Sequence, residues 1–131
     1  MTYRWIDHTA EVELRIDAET DEAVFADALR AYAELVDRGA SGDPARHDVS
    51  VSATDPAALL AAWVEELVFL AETEEFVPER VTAFSLREGE LQAVVEGRRG
   101  TPAPLVKAVT YHNLEYERGP RGIRARLVLD V

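Results

Sequence analysis

Residues 55–74 read DPAALLAAWVEELVFLAETE, and the period of their apolar side chains decides what the rest of the chain must be. Leu59, Leu60, Trp63, Val64, Leu67, Val68 and Leu70 recur with a helical spacing and wrap most of the girth, so this helix belongs at the centre of a core. Asp55 is placed to cap it, and Pro56 falls at the first helical position, where its missing N–H costs nothing. A helix apolar on most sides needs partners around it. The flanking sequence supplies them in two different periods.

Upstream, Thr20 caps a second helix with Asp21 and Glu22 in its first turn, where carboxylates suit the free amides and the positive end of the dipole. Phe25, Leu29, Tyr32 and Val36 follow at steps of four, three and four, and Gly39 is expected to end it. SGDPAR, residues 41–46, reads as a turn, and HDVSVSAT alternates through Val49 and Val51 as a short strand. At the N-terminal end, YRWIDHTAEVELRI (3–16) reads as a single strand, closing on Val12, Leu14 and Ile16 with Glu13 and Arg15 between them. Downstream, Pro78 resets the chain to a strand period. VTAFSL and LQAVVEG flank REGE with its Gly89, and YHNLEYE and IRARLVLDV flank Gly119, Pro120 and Gly122, which predicts two hairpins. The order strand, helix, strand, helix, then four strands predicts an α+β fold with two helices packed on a mostly antiparallel sheet. The 131 residues suit one domain, residues 1–131.

The composition is 47% hydrophobic and 30% charged, that of a folded globular chain. Twenty-five acids against 14 basic residues give a net charge of −11, which argues against direct binding of RNA or DNA, because such binding draws its affinity from basic side chains displacing counterions. Lys107 is the one lysine. With no cysteine, thiolate chemistry and disulfides are excluded. No stretch reads as a leader or a membrane span, so a cytoplasmic protein without a membrane partner is expected.

The common catalytic and phosphate-binding signatures are absent. Three polar groups stand out: Asp7, His8, Thr9 and Glu11; Lys107 with Tyr111 and His112; and Asp130 beside the terminal residue Val131. Taken singly, each has an ordinary reading as a solvated or hydrogen-bonded side chain. Taken together they point to more, because carboxylates from both ends of the chain would converge if the first and last strands pair, and oxygen donors of that kind favour hard divalent cations. One reading is then a metal-dependent hydrolase with His8 or His112 as acid and base. Another is a plain interaction domain with no metal.

These same stretches resemble the archease family. WIDHTAEVELRI is similar to its N-terminal Asp/Glu-His-Thr-Ala-Asp motif, AAWVEELVFLAETE to its second helix, VKAVTYHNLEY to its Lys-Ala-Val-Thr-Tyr-His signature, and LVLDV to its ending. The resemblance runs along almost the whole chain. It implies a non-enzymatic activator or chaperone of the RtcB-type RNA ligase of tRNA splicing, promoting GTP-dependent guanylylation of the ligase and its repeated turnover. It implies a divalent cation, calcium first and magnesium, manganese or zinc as alternatives, held by Glu11, Asp130 and Val131. It implies an activating role for Lys107, with Asp7, His8, Tyr111 and His112 as supporting or partner-facing positions. Glu11 stands where the family has aspartate, and its extra methylene moves the carboxylate outward by about 1.5 Å.

Overall fold

A computed structural model describes residues 2–8, 10–103 and 106–131, with the side chains of Asp7 and His8 outside the described part. Among these residues, seven strands and two helices follow in the order β1 (Thr2–His8), β2 (Glu11–Ala18), α1 (Asp21–Val36), β3 (Pro44–Ser52), α2 (Pro56–Glu74), β4 (Phe76–Arg87), β5 (Glu90–Arg99), β6 (Ala108–Gly119) and β7 (Gly122–Asp130). The fold is α+β. Its strands form two antiparallel sheets, one ordered β1-β2-β7-β6 and the other β3-β5-β4.

The expected caps are in place. The Thr20 side chain accepts the Ala23 N–H at 3.1 Å, and Asp55 accepts that of Ala58 at 2.8 Å. Helix α1 stops earlier than Gly39 suggested: it ends at Val36, and the Asp37 side chain accepts the N–H groups of Gly39 and Ala40, which lets the chain leave the helix at once. At the β4–β5 turn, Glu88 and Gly89 both take positive φ, 46° and 79°, the two-residue geometry that matches the twist of a hairpin. A Cβ on Gly89 would lie 2.5 Å from the Ala53 carbonyl oxygen, so glycine is required there by space as well as by φ.

Residues 3–16 are two strands, not one. The chain reverses between His8 and Glu11, with Ala10 at φ 61°, and β1 pairs back on β2 from His8 opposite Glu11 to Thr2 opposite Asp17. The apolar alternation of Val12, Leu14 and Ile16 holds within β2, where Leu14 and Ile16 are fully buried.

The core joins both helices to both sheets through one aromatic cluster. Phe25 of α1 meets Trp63 of α2 edge-on at 6.1 Å, Phe84 of β4 at 5.7 Å and Tyr116 of β6 at 6.3 Å. Trp63 is fully buried, and its indole N–H donates to the Phe25 carbonyl at 3.0 Å.

One buried group works against the fold. Asp27 of α1 is 2% exposed, and its Oδ2 has no hydrogen-bond partner among the described residues, while its Oδ1 lies 3.6 Å from Arg30. Burial pushes its carboxyl up from the ordinary value, with Arg30 opposing. A carboxyl raised in the folded state stabilises the fold below its unfolded pKa and loses that contribution as pH rises through the folded value. Ionised Asp27 is therefore a cost at neutral pH. We expect Asp27→Asn to stabilise the protein by about 1 kcal/mol at pH 7 and to lose that gain near pH 4. Urea unfolding at the two pH values checks this, and a variant less stable at pH 7 contradicts it.

Candidate functional site

Strand β2 lies beside β7, the last strand, and this pairing brings distant residues to one tip. Glu11 is the register partner of Asp130, and Asp130 is also the partner of Ala108 at the start of β6. Residues directly opposed in antiparallel strands project to the same face. That face is the outer one, because the next row along turns to the core, with Leu129 and Val109 buried and Val12 partly buried against it. The carboxylates of Glu11 and Asp130 thus stand side by side, half-buried. The backbone fastens the surroundings: the Lys107 N–H donates to the Asp130 carbonyl at 2.8 Å, and the Val131 N–H to the Ala10 carbonyl at 3.2 Å. The β1–β2 turn, the start of β6 and residues 130–131 form one unit, with the exposed Lys107 side chain at its rim.

His8 is the register partner of Glu11, and Asp7 that of Val12; Thr9 and the side chains of Asp7 and His8 lie outside the described residues. Tyr111 and His112 sit elsewhere. Between Thr110, opposite Val128, and Glu115, opposite Arg126, strand β6 leaves the ladder in a wide bulge, with Asn113 at φ 59°. The Arg126 side chain donates to the Asn113 carbonyl at 3.0 Å and pins the bulge. Both Tyr111 and His112 are exposed on it. The Tyr111 hydroxyl donates to the Glu65 carboxylate of α2, and that bond, with partial burial, pushes the phenol up to about 12.

Sequence reasoning missed Glu13. Alternation places it on the outer face as an ordinary solvated acid, yet it is 6% exposed, opposite Val128 at 3%, one row in from Glu11 and Asp130. Arg15 pairs with it. No local signal marks this burial, since only the assembled sheet and the bulge of β6 decide how far solvent reaches on that face.

Chemically, the tip offers opposed carboxylates with a cation at the rim. Among the described residues no three His, Asp or Glu side chains gather closely enough to hold an ion by themselves. Two roomy clefts open away from the tip, one of about 550 Å³ between the N-terminal ends of α1 and α2 and one of about 460 Å³ at the β6–β7 turn. Among the described residues, no helix is long and apolar enough to cross a membrane.

An acidic α+β domain of two antiparallel sheets and two helices, with its last strand set between two strand-bearing ends at a carboxylate tip, is the class of protein that results. The chain belongs to the archease family: the model of the Archease protein family (MTH1598/TM1083) matches residues 3–131. Archease proteins of Methanosarcina acetivorans and Archaeoglobus fulgidus are 33% and 30% identical to it, covering 98% and 100% of this chain and 95% and 100% of theirs. The fold is also that of the solution structure of Methanobacterium thermoautotrophicum protein 1598, with a TM-score of 0.76 and 23% identity over 98% of each chain. The crystal structure of a Thermotoga maritima archease, described as a possible chaperone, superimposes with a TM-score of 0.71 at 20% identity, over 100% of this chain and 98% of that one.

Proposed function

We propose that this chain is a non-enzymatic, cytoplasmic activator of the GTP-dependent RtcB-type RNA ligase that joins tRNA halves, promoting guanylylation of the ligase and its repeated turnover. The observation that carries the reading is the register that sets Glu11 opposite Asp130 beside Lys107, inside a fold that belongs to the archease family. Those positions are the ones the family resemblance assigns to the activating edge. Glu11 and Asp130 lie opposite each other at the ends of their strands, a position that suits presentation to a larger partner.

The donor set at the tip fits a hard divalent cation. Two opposed side-chain carboxylates and the main-chain oxygen of Val131 are oxygen donors of the kind calcium or magnesium takes, and the longer arm of Glu11 suits the flexible shell of calcium better than a strict octahedron. Bound there, a cation would supply the positive charge that two adjacent carboxylates lack. Glu11 and Asp130 would hold it, the Val131–Ala10 bond would keep Val131 in place, and Lys107 would face the ligase or a nucleotide phosphate.

The net charge of −11 supports the partner class. An acidic helper is drawn to a basic RNA-binding cleft by complementary charge and does not compete for the RNA itself. The test is multiple-turnover joining of RNA halves by the ligase of the same source, with and without this protein. We expect a large gain in product per ligase, weakening as salt rises. No gain at any ratio, with the ligase itself active, would sink the reading.

A further inference from the structure

Helix α2 turns one flank to solvent, and that flank is built unlike the rest of the surface. Phe69 and Tyr111 are the exposed large hydrophobic residues among the described ones, at 57% and 56%. They are neighbours through Glu65, whose carboxylate accepts the Tyr111 hydroxyl and which lies one helical turn before Phe69 on the same face. The helix carries Glu65, Glu66, Glu72 and Glu74 and no basic residue, and none of the ion pairs among the described residues reaches them. Glu72 and Glu74 sit in the last turn, where the helix dipole favours cations and nothing basic offsets it.

At that same end a cleft of about 230 Å³ is lined by Tyr32, Glu72, Glu75, Pro102 and Val106 among others. Tyr32 is 2% exposed, and its hydroxyl makes no hydrogen bond among the described residues although the side chain lines the cleft. Two carboxylates, a phenol oxygen and the negative end of a helix thus surround a space that no basic side chain lines among the described residues. The Tyr32 side chain is buried as a whole, but its oxygen is not among the buried unpaired atoms, so it meets solvent where the side chain lines the cleft. What the cleft lacks is a cationic donor, and a guanidinium fits best, since its planar fork can reach both carboxylates and the phenol while its faces lie on apolar surface.

We propose that this flank of α2 is where an arginine-bearing surface of the ligase docks, with the arginine entering the Tyr32–Glu72–Glu75 cleft and Phe69 packing beside it; this rests on the ligase reading above. The occupant is a protein surface and not a free cation, because a small ion would leave Phe69 and Tyr111 exposed, whereas aromatic side chains around a charged anchor are the usual centre of a protein interface. Docking is then separate from the tip at Glu11 and Asp130. The flank holds the partner and the tip acts on it.

The experiment is titration of the ligase with wild-type protein, Phe69→Ala and the double variant Glu72→Gln, Glu75→Gln, followed at low and moderate salt, with ligase turnover measured at saturating amounts of each. All three positions are exposed, so the fold is kept, and melting temperatures confirm it. We expect each variant to weaken binding on the order of tenfold, the double variant to flatten the salt dependence, and turnover at saturation to match the wild type. Tyr32→Phe, which removes only the hydroxyl, should weaken binding in the same direction. Variants that bind as the wild type does overturn the docking surface. Wild-type protein that binds through these residues without raising turnover upholds the surface and overturns the activator reading, and a ligase that does not bind the wild type overturns both.

Discussion

Asp130→Ala is expected to remove most of the gain in ligase turnover while leaving the fold intact. The ladder contacts of Asp130 are made by its main chain, which accepts the Lys107 N–H and keeps register with Glu11 and Ala108, so alanine preserves them. Only the carboxylate is lost. A surface truncation of this kind changes stability by about 0.5 kcal/mol or less. At the tip, however, it leaves the Glu11 carboxylate and the Val131 main-chain oxygen as the remaining donors, too few to hold a hard cation well. The expected fall in turnover gain is about tenfold or more, the scale seen when a cation site loses part of its support. Calcium binding by calorimetry should vanish with it. Lys107→Ala should cost a similar share of the gain yet leave the calcium heat unchanged, because its side chain stands exposed at the rim and its main-chain bond to Asp130 survives. That pair of results separates holding the ion from acting on the partner. Turnover unaffected by Asp130→Ala would remove the tip from the mechanism.

Trp63→Ala is expected to bring the protein close to unfolding. The indole is fully buried at the meeting point of α1, α2 and the aromatic cluster, and its N–H is tied to the Phe25 carbonyl. Truncation loses the transferred surface and leaves a cavity that Phe25, Phe84 and Tyr116 cannot all close, because each is held in a different element. Losses for buried aromatic residues run to about 3–5 kcal/mol. Small domains have about 5–15 kcal/mol in all, so a shift of that size is a large fraction of the total. Trp63→Phe, which keeps a ring and gives up the hydrogen bond, should cost clearly less. Urea midpoints of the three proteins decide the matter, and a Trp63→Ala midpoint equal to the wild type would show that α2 is not the centre of the core.

The helices were readable because their information is local. The apolar steps of α1 and α2 and the side-chain caps at Thr20 and Asp55 act within a few residues, and they place both helix starts as the structure has them. The hairpin inside residues 3–16 was not readable for the complementary reason. Tight turns are announced by Gly, Asn or Asp at positive φ, and here Ala10 takes φ 61° without such a sign. The strand alternation on either side then looks continuous. The end of α1 was misplaced by the same kind of competition, since Asp37 satisfied the chain exit before Gly39 was reached.

The sequence by itself determined the α+β class, the helix starts, the glycine turns between the last four strands and the family resemblance, all of which depend on neighbours in the chain or on motifs kept in order. Only the tertiary structure decided that Glu11 faces Asp130, that Glu13 is buried, that Tyr111 leaves the tip for Glu65 on α2, and that Tyr32 lines an acidic cleft. Each of these is a pairing between residues far apart in sequence. Such pairings are chosen by which faces bury the most apolar surface, as in the register that sets Leu14 against Leu127, and the polar residues in the same rows are carried into place with them.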